Sequence, residues 1–406
     1  LSGRKRGVIM NVFLPADILI PDVESMEKWS VIACDQFSSQ PEYWKDVKET
    51  VGDAPSSFHL IFPEAELEDV DENEKIKTIN WNMQSYLEQG IFQKYEKSYV
   101  YVERTLKNGS IRRGLIGMID LEAYDYSENS SSRIRATEKT VTCRIPPRVR
   151  IREDAPVELP HVLLLCDDRS DGLIEWLSGK KEEMRKIYNF NLMKEGGHIS
   201  GWLVSGKLAK DFEKKITSYE NISAEMPYAV GDGNHSLATA KVCYENYKKT
   251  HSDTENANAP ARYAMVELEN IHDKALEFSP IHRIVTETDE EALLDELQKT
   301  CCAPNGYPVQ WYTKERQGVL YLNPNKSRLA VAILQNFLDG YLKNHRGQMD
   351  YIHGEEALKN LAEKENAVGF LLPAMEKREL FPYVTESGTL PRKTFSMGHA
   401  TEKRYY

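Results

Sequence analysis

MPYAVGDGNHSLATAKVCYENY, residues 226–247, is the stretch on which the fold class turns. Tyr228–Val230 reads as the end of a buried strand. Gly231, Asp232, Gly233, Asn234 and His235 follow without an apolar residue between them, and from Ser236 a helix-like run begins. A strand that feeds a helix through a glycine turn is the unit from which α/β proteins are built.

The chain around this unit repeats the alternation. WSVIACDQF reads as a buried strand and SSFHLIF as a short one. DENEKIKTINWNMQSYLEQGIF has helical spacing at Ile76, Ile79, Met83 and Leu87 and stops at Gly90. KSYVYVERTLKNGSIRRGLIGMIDL is a β-hairpin with Asn108-Gly109 at its turn. HVLLLCDD, HISGWLVS, ARYAMVELENI and IHRIVTET read as strands. GLIEWLSGKKEEMRKIYNF, EALLDELQKTC, SRLAVAILQNFLDGYLKNH and GEEALKNLAEKEN read as helices. The expected class is α/β (or α+β), with mixed sheets and flanking helices. Three regions are expected: 10–125, 126–285 with the arginine-rich segment and the glycine turn, and a mostly helical 286–406 whose tail returns to the site.

With 406 residues the chain has room for two or three domains. A net charge of −11 argues against a nucleic-acid groove. No apolar run reaches the 18 or more residues of a membrane-spanning helix, and LSGRKRGVIMN has no signal-like apolar stretch behind it. None of the six cysteines forms a CxxC pair, which suits reduced thiols in a cytoplasmic protein and argues against zinc. Oligomeric state leaves no mark in the sequence.

Three groups of residues carry candidate chemistry. At the glycine turn, backbone N–H groups and the positive end of a helix dipole converge on one place, which suits an anion such as phosphate. Gly231 and Gly233 permit close backbone approach, while Asn234, His235 and Ser236 add donors. Asp232 would repel a phosphate, and makes sense as a metal ligand, a proton acceptor or an orienter of the histidine. A capped helix start with a satisfied histidine is the bland alternative. RIRATEKTVTCRIPPRVRIRE supplies Arg133, Arg135, Lys139, Arg144, Arg148, Arg150 and Arg152, of which the last three would share a face if extended. Guanidinium forks suit phosphate, whereas a charged edge strand is the structural alternative. Glu138 lies among these cations as a base, a metal ligand or an ion-pair partner. In the tail, Arg392, Lys393, Thr394 and Ser396 crowd cations and hydroxyls together. His161, the first residue of HVLLLCDD and just ahead of its buried run, reads more simply as a packed histidine.

The series VIACDQF-SSQPEYW, ATEKTV, RIPPRVRIREDAPVELPHVLLLCDD, VGDGNHSLATAK, SPIHRIV and LPRKTFSMG, in this order, resembles the domain of unknown function 1015 family over essentially the whole chain. The central Asp-Gly-His-His-Arg motif of that family resembles that of free serine kinases in the ParB-like nucleotide-binding superfamily. In those kinases the motif binds nucleotide phosphates and a separate glutamate is the base. Asp232, Gly233 and His235 match the motif, while Asn234 and Ser236 replace its first histidine and its arginine. Glu138-Lys139-Thr140 matches a Glu-x-Thr element, and Lys393-Thr394-Phe395 a Lys-Ser/Thr-aromatic element.

The resulting expectation is a protein that binds a phosphorylated small molecule or nucleotide, with serine-kinase-like phosphotransfer, Mg2+ and ATP or ADP as its chemistry. Asp232 and Glu138 are the candidate catalytic residues, Asp232 also the metal ligand. Gly231, Gly233, Asn234, His235, Ser236, Arg144, Arg148, Lys393 and Thr394 are the binding set. A non-catalytic regulatory binder and a phosphoester or nucleotide hydrolase are the alternatives.

Overall fold

The computed structural model describes residues 10–38, 40–66, 71–140, 145–159 and 161–406. The chain is mixed α/β and divides into two compact units. The first comprises residues 1–136, 140–276 and 398–406, and the second 137–139 and 277–397.

The first unit is built on an 11-stranded sheet among the described residues. From one edge its main path runs Tyr124–Asp125, Ile134–Ala136, Tyr228–Asp232, Leu163–Cys166, Tyr263–Asn270, Ile111–Asp120, Phe92–Thr105, His198–Val204 and Arg185–Asn191. Two further strands, Phe13–Leu14 and Ala16–Pro21, pair with Ile111–Asp120 and Phe92–Thr105 respectively. The Asn108-Gly109 hairpin forms as its turn chemistry requires: Gly109 takes φ +83° and the Asn108 side chain accepts from the Ser110 amide.

Pleating explains why Tyr99–Val102 is apolar throughout. Tyr99 and Tyr101 enter one core with Leu115, Phe212 and Tyr228, while Val100 and Val102 enter the opposite one with Ile116 and Ile199. Both faces of the strand are covered, so both sets of side chains must be apolar. The helix Gly206–Ile222 buries Ala209, Phe212, Ile216 and Tyr219, spaced as one face of a helix demands.

The second unit has a six-stranded sheet among its described residues, ordered Gln317–Leu322, Cys302–Tyr312, Val368–Leu371, Phe278–Thr286 and Gln348–His353. Phe395–Met397 is added to the Phe278–Thr286 strand.

Several local expectations are corrected. The segment WSVIACDQF is buried at Val31, Ile32 and Ala33, but enters no sheet and makes a single bridge, Ile32 to Arg404. Ser57–Leu60 is a 3-10 turn, capped by the Ser56 hydroxyl accepting from the Phe58 amide. The stretch read as one helix from Gly172 ends its α-helix at Ser178, and Arg185–Asn191 is a strand.

The arginine-rich segment is the largest departure. Ile145–Arg152 is an α-helix, not an extended strand. Pro146 and Pro147 occupy its first turn, where a missing N–H costs no hydrogen bond. Arg150 therefore leaves the face that Arg148 and Arg152 share: Arg148 pairs with Glu64, Arg150 with Glu72 and Arg152 with Glu158. Among the described residues no helix is long and apolar enough to cross a membrane.

Candidate functional site

Tyr228–Asp232 runs parallel to Ile134–Ala136 and antiparallel to Leu163–Cys166, with a register shift between Val230 and Asp232. Gly231 lies within this strand. Gly233 follows at φ +80° and caps the helix Asn234–Lys248. A Cβ at position 233 would lie 3.1 Å from Val162 Cα and Cγ2, so both conformation and space call for glycine there.

Asp232 points both carboxylate oxygens at protein partners. Its Oδ1 accepts from the Gly233 amide at 2.8 Å, and its Oδ2 lies 2.5 Å from Lys403 Nζ. Burial works against the Lys403 ammonium charge, but Asp232 and, more weakly, Asp35 outweigh it and raise its pKa. Lys403 thus holds the place that a metal ion would take beside Asp232. Among the described residues no cluster of three or more His, Cys, Asp or Glu side chains is arranged around a cation site.

Asn234 is buried and His235 half-buried at the start of the helix. Ser236 Oγ lies 2.5 Å from His161 Nε2. His161 stands just ahead of the Leu163–Cys166 strand, with the Tyr405 ring edge-on at 5.4 Å and its own Nδ1 buried without a hydrogen-bond partner among the described residues. Asp35 is half-buried nearby. Burial opposes its ionisation, yet His161, a hydrogen bond from Gln36, Lys403 and Arg148 together lower its pKa. Burial, with the Asp35 charge, pushes the Cys34 thiol up to about 11.

A cavity of ≈ 430 Å³ opens beside these groups. Its polar lining comes from Ser236, His161, Cys34, Tyr405, Thr239 and the Arg148–Glu64 and Arg152–Glu158 pairs, and its apolar lining from side chains such as Ile61, Phe62, Met83, Ile151 and Leu159. Arg148 and Arg152 both line it because they are one helical turn apart. This volume lies within the range of small-molecule sites.

Arg144 lies outside the described residues. Glu138, Lys393 and Thr394 belong to the second unit. There Glu138 bridges to Leu390, and the Thr394 hydroxyl donates to Pro391 O at 2.6 Å. Lys393 is exposed at φ +57°. Its loop is pinned by the buried Arg283, which donates to Lys393 O, Arg392 O and Gln335 Oε1. With no carboxylate in that set, burial pulls the Arg283 guanidinium down to about 10.

Sequence reasoning missed Asp35, Lys403, Tyr405 and Glu64, and read His161 as a packing residue. Only His161 had a usable signal, a histidine at the mouth of a buried strand.

Fold and site define a mixed α/β protein with a glycine turn set against an apolar cavity. Residues 19–374 match the family described as "Protein of unknown function (DUF1015)", and the chain belongs to that family. No curated protein matches the sequence. Among solved structures it is similar to a free serine kinase in complex with AMP, at 11% identity and TM-score 0.39, covering 71% of this chain and 89% of that one. A variant of that kinase with ADP gives the same figures: 11%, 0.39, 71% and 89%. A conserved hypothetical protein from Pyrococcus furiosus is similar at 11% identity and TM-score 0.34, covering 69% of this chain and 89% of that one.

Proposed function

We propose that the first unit binds a phosphorylated small molecule, a nucleotide before others, and transfers a phosphoryl group to a small hydroxylated acceptor. The observation that carries this reading is the cavity: an apolar body fits its walls, and its polar lining adjoins the N-terminal turn of the helix Asn234–Lys248. Lys403 offsets the repulsion that Asp232 at the glycine turn would offer an anion, and Arg148, paired with Glu64, brings a guanidinium to the cavity lining. The chemistry is written without Mg2+, because Lys403 already neutralises Asp232. We place the protein in the cytoplasm, in keeping with five described cysteines that are all free thiols.

Calorimetric titration of the full chain with ATP, ADP and AMP tests the binding, and turnover of ATP with and without serine tests the transfer. Saturable binding of at least one nucleotide is expected; none at millimolar concentration rejects the reading. A non-catalytic regulatory binder is favoured by one observation, that both oxygens of the Asp232 carboxylate are already engaged, by the Gly233 amide and Lys403. Nucleotide binding without turnover of any hydroxylated acceptor selects it.

A further inference from the structure

Ser236 and His161 come from segments well separated in sequence, yet their side chains meet at 2.5 Å on the wall of one cavity. With its proton on Nδ1, the imidazole presents Nε2 as an acceptor for the serine hydroxyl. That is the geometry of a nucleophile held by its base. The Asp35 carboxylate lies within electrostatic reach of the imidazole. A purely structural serine at the third position of a helix would more simply serve its own backbone.

We propose that Ser236 is a nucleophile, activated by His161, that takes the phosphoryl group from the bound phosphoester and carries it as a phosphoseryl intermediate. The proposal rests on the phosphotransfer reading above and adds a covalent step to it. The Oγ–P bond forms while the bond from phosphorus to the leaving oxygen breaks. The Oγ proton passes to His161 Nε2 and from there to the departing oxygen. An acceptor hydroxyl, or water, then attacks the phosphoserine, giving its own proton to His161, and Ser236 Oγ leaves and is reprotonated. Cys34, the other nucleophile on this wall, is excluded because its thiol stays protonated at neutral pH.

The test incubates the full chain with γ-32P-ATP and separately with p-nitrophenyl phosphate, quenches in acid and locates phosphate by mass spectrometry. The expected result is phosphoserine at position 236, absent in Ser236→Ala and formed about 100-fold or more slowly in His161→Asn. Circular dichroism checks that the variants fold. Ser236→Thr, which keeps the hydroxyl, should carry the label on threonine and guards against a folding defect in the alanine variant. A folded wild-type chain that acquires no phosphate at Ser236 from either donor overturns the proposal, as does a label that survives in Ser236→Ala. Nucleotide binding without labelling removes the covalent step alone. Labelling from p-nitrophenyl phosphate without nucleotide binding keeps Ser236 and removes the nucleotide as donor.

Discussion

Asp232 and Lys403 form an ion pair that does not line the cavity, and on the proposed function the pair sets the charge an anion meets at the adjoining glycine turn. Replacing Asp232 by Asn removes a negative charge and frees the Lys403 ammonium, so ADP should bind as tightly as before or more tightly. Lys403→Met leaves Asp232 uncompensated, and ADP affinity should fall about 10-fold or more, equivalent to about 1.4 kcal/mol. Calorimetry of the two variants checks both signs, and a weaker Asp232→Asn would return the carboxylate to the role of ligand or base. A second residue tests linkage. Burial pushes the Glu269 carboxyl up to about 8 despite the pull of Arg112. A folded pKa above the unfolded value means that the native state keeps a proton the unfolded chain loses. This contribution to stability is full below the unfolded pKa and is lost as pH rises towards 8. Wild type should therefore lose melting temperature relative to Glu269→Gln between pH 5 and pH 8, and parallel curves would show that Glu269 does not titrate there. At this scale the sequence showed Gly233, Asp232 and Ser236 because they are contiguous. Lys403, Asp35 and His161 arrive from other segments, and no local pattern marks a side chain whose partner is chosen by tertiary packing.

The glycine turn is the element that positions the site, and it was legible because strand, turn and helix follow one another without interruption. Gly233→Ala puts a Cβ on a residue at φ +80° and against Val162. It should cost about 1–3 kcal/mol of stability, read as a lower melting temperature of the first unit. An alanine variant as stable as wild type would mean that the turn relaxes freely and does not fix the helix start. The arginine segment was misread for a physical reason. Arg148, Arg150 and Arg152 alternate with Val149 and Ile151 in a period of two, and two prolines stand just before them, both ordinary signs of an extended strand. Packing overrides that pattern: the helical turn brings Ile151 into the cavity wall and sends each guanidinium to a different glutamate. WSVIACDQF shows the opposite limit, since burial was legible and pairing was not, because its neighbour comes from the far end of the chain.

Each unit of the molecule owns a sheet and a core, and the first is completed by residues 398–406. This closing segment has no clear period in the sequence, yet it carries Glu402, Arg404 and Tyr405 into the interior. Glu402 meets Arg112 at 3.1 Å, Arg112 meets Glu269 at 3.0 Å, and Arg104 reaches Glu267 at 3.5 Å. Such a network is silent in the sequence because its members lie on separate strands, and charged residues are ordinarily expected at the surface. Its energetics follow from burial: an intact pair roughly offsets its own desolvation, whereas removing one partner leaves an uncompensated charge and costs about 3–5 kcal/mol. Glu402→Gln deletes the charge facing Arg112 while keeping the side-chain volume, so the loss should appear as destabilisation of the first unit. Hydrogen exchange should show faster exchange in Ile111–Asp120 and Tyr263–Asn270, the strands that carry Arg112 and Glu269, with the second unit's sheet unchanged. Lys403 and Tyr405 ride on the same segment, so loosening it should also weaken ADP binding even though Glu402 does not line the cavity. Unchanged exchange in those strands would mean that the network contributes nothing to holding the tail, and that the apolar burial of Tyr405 alone seats it.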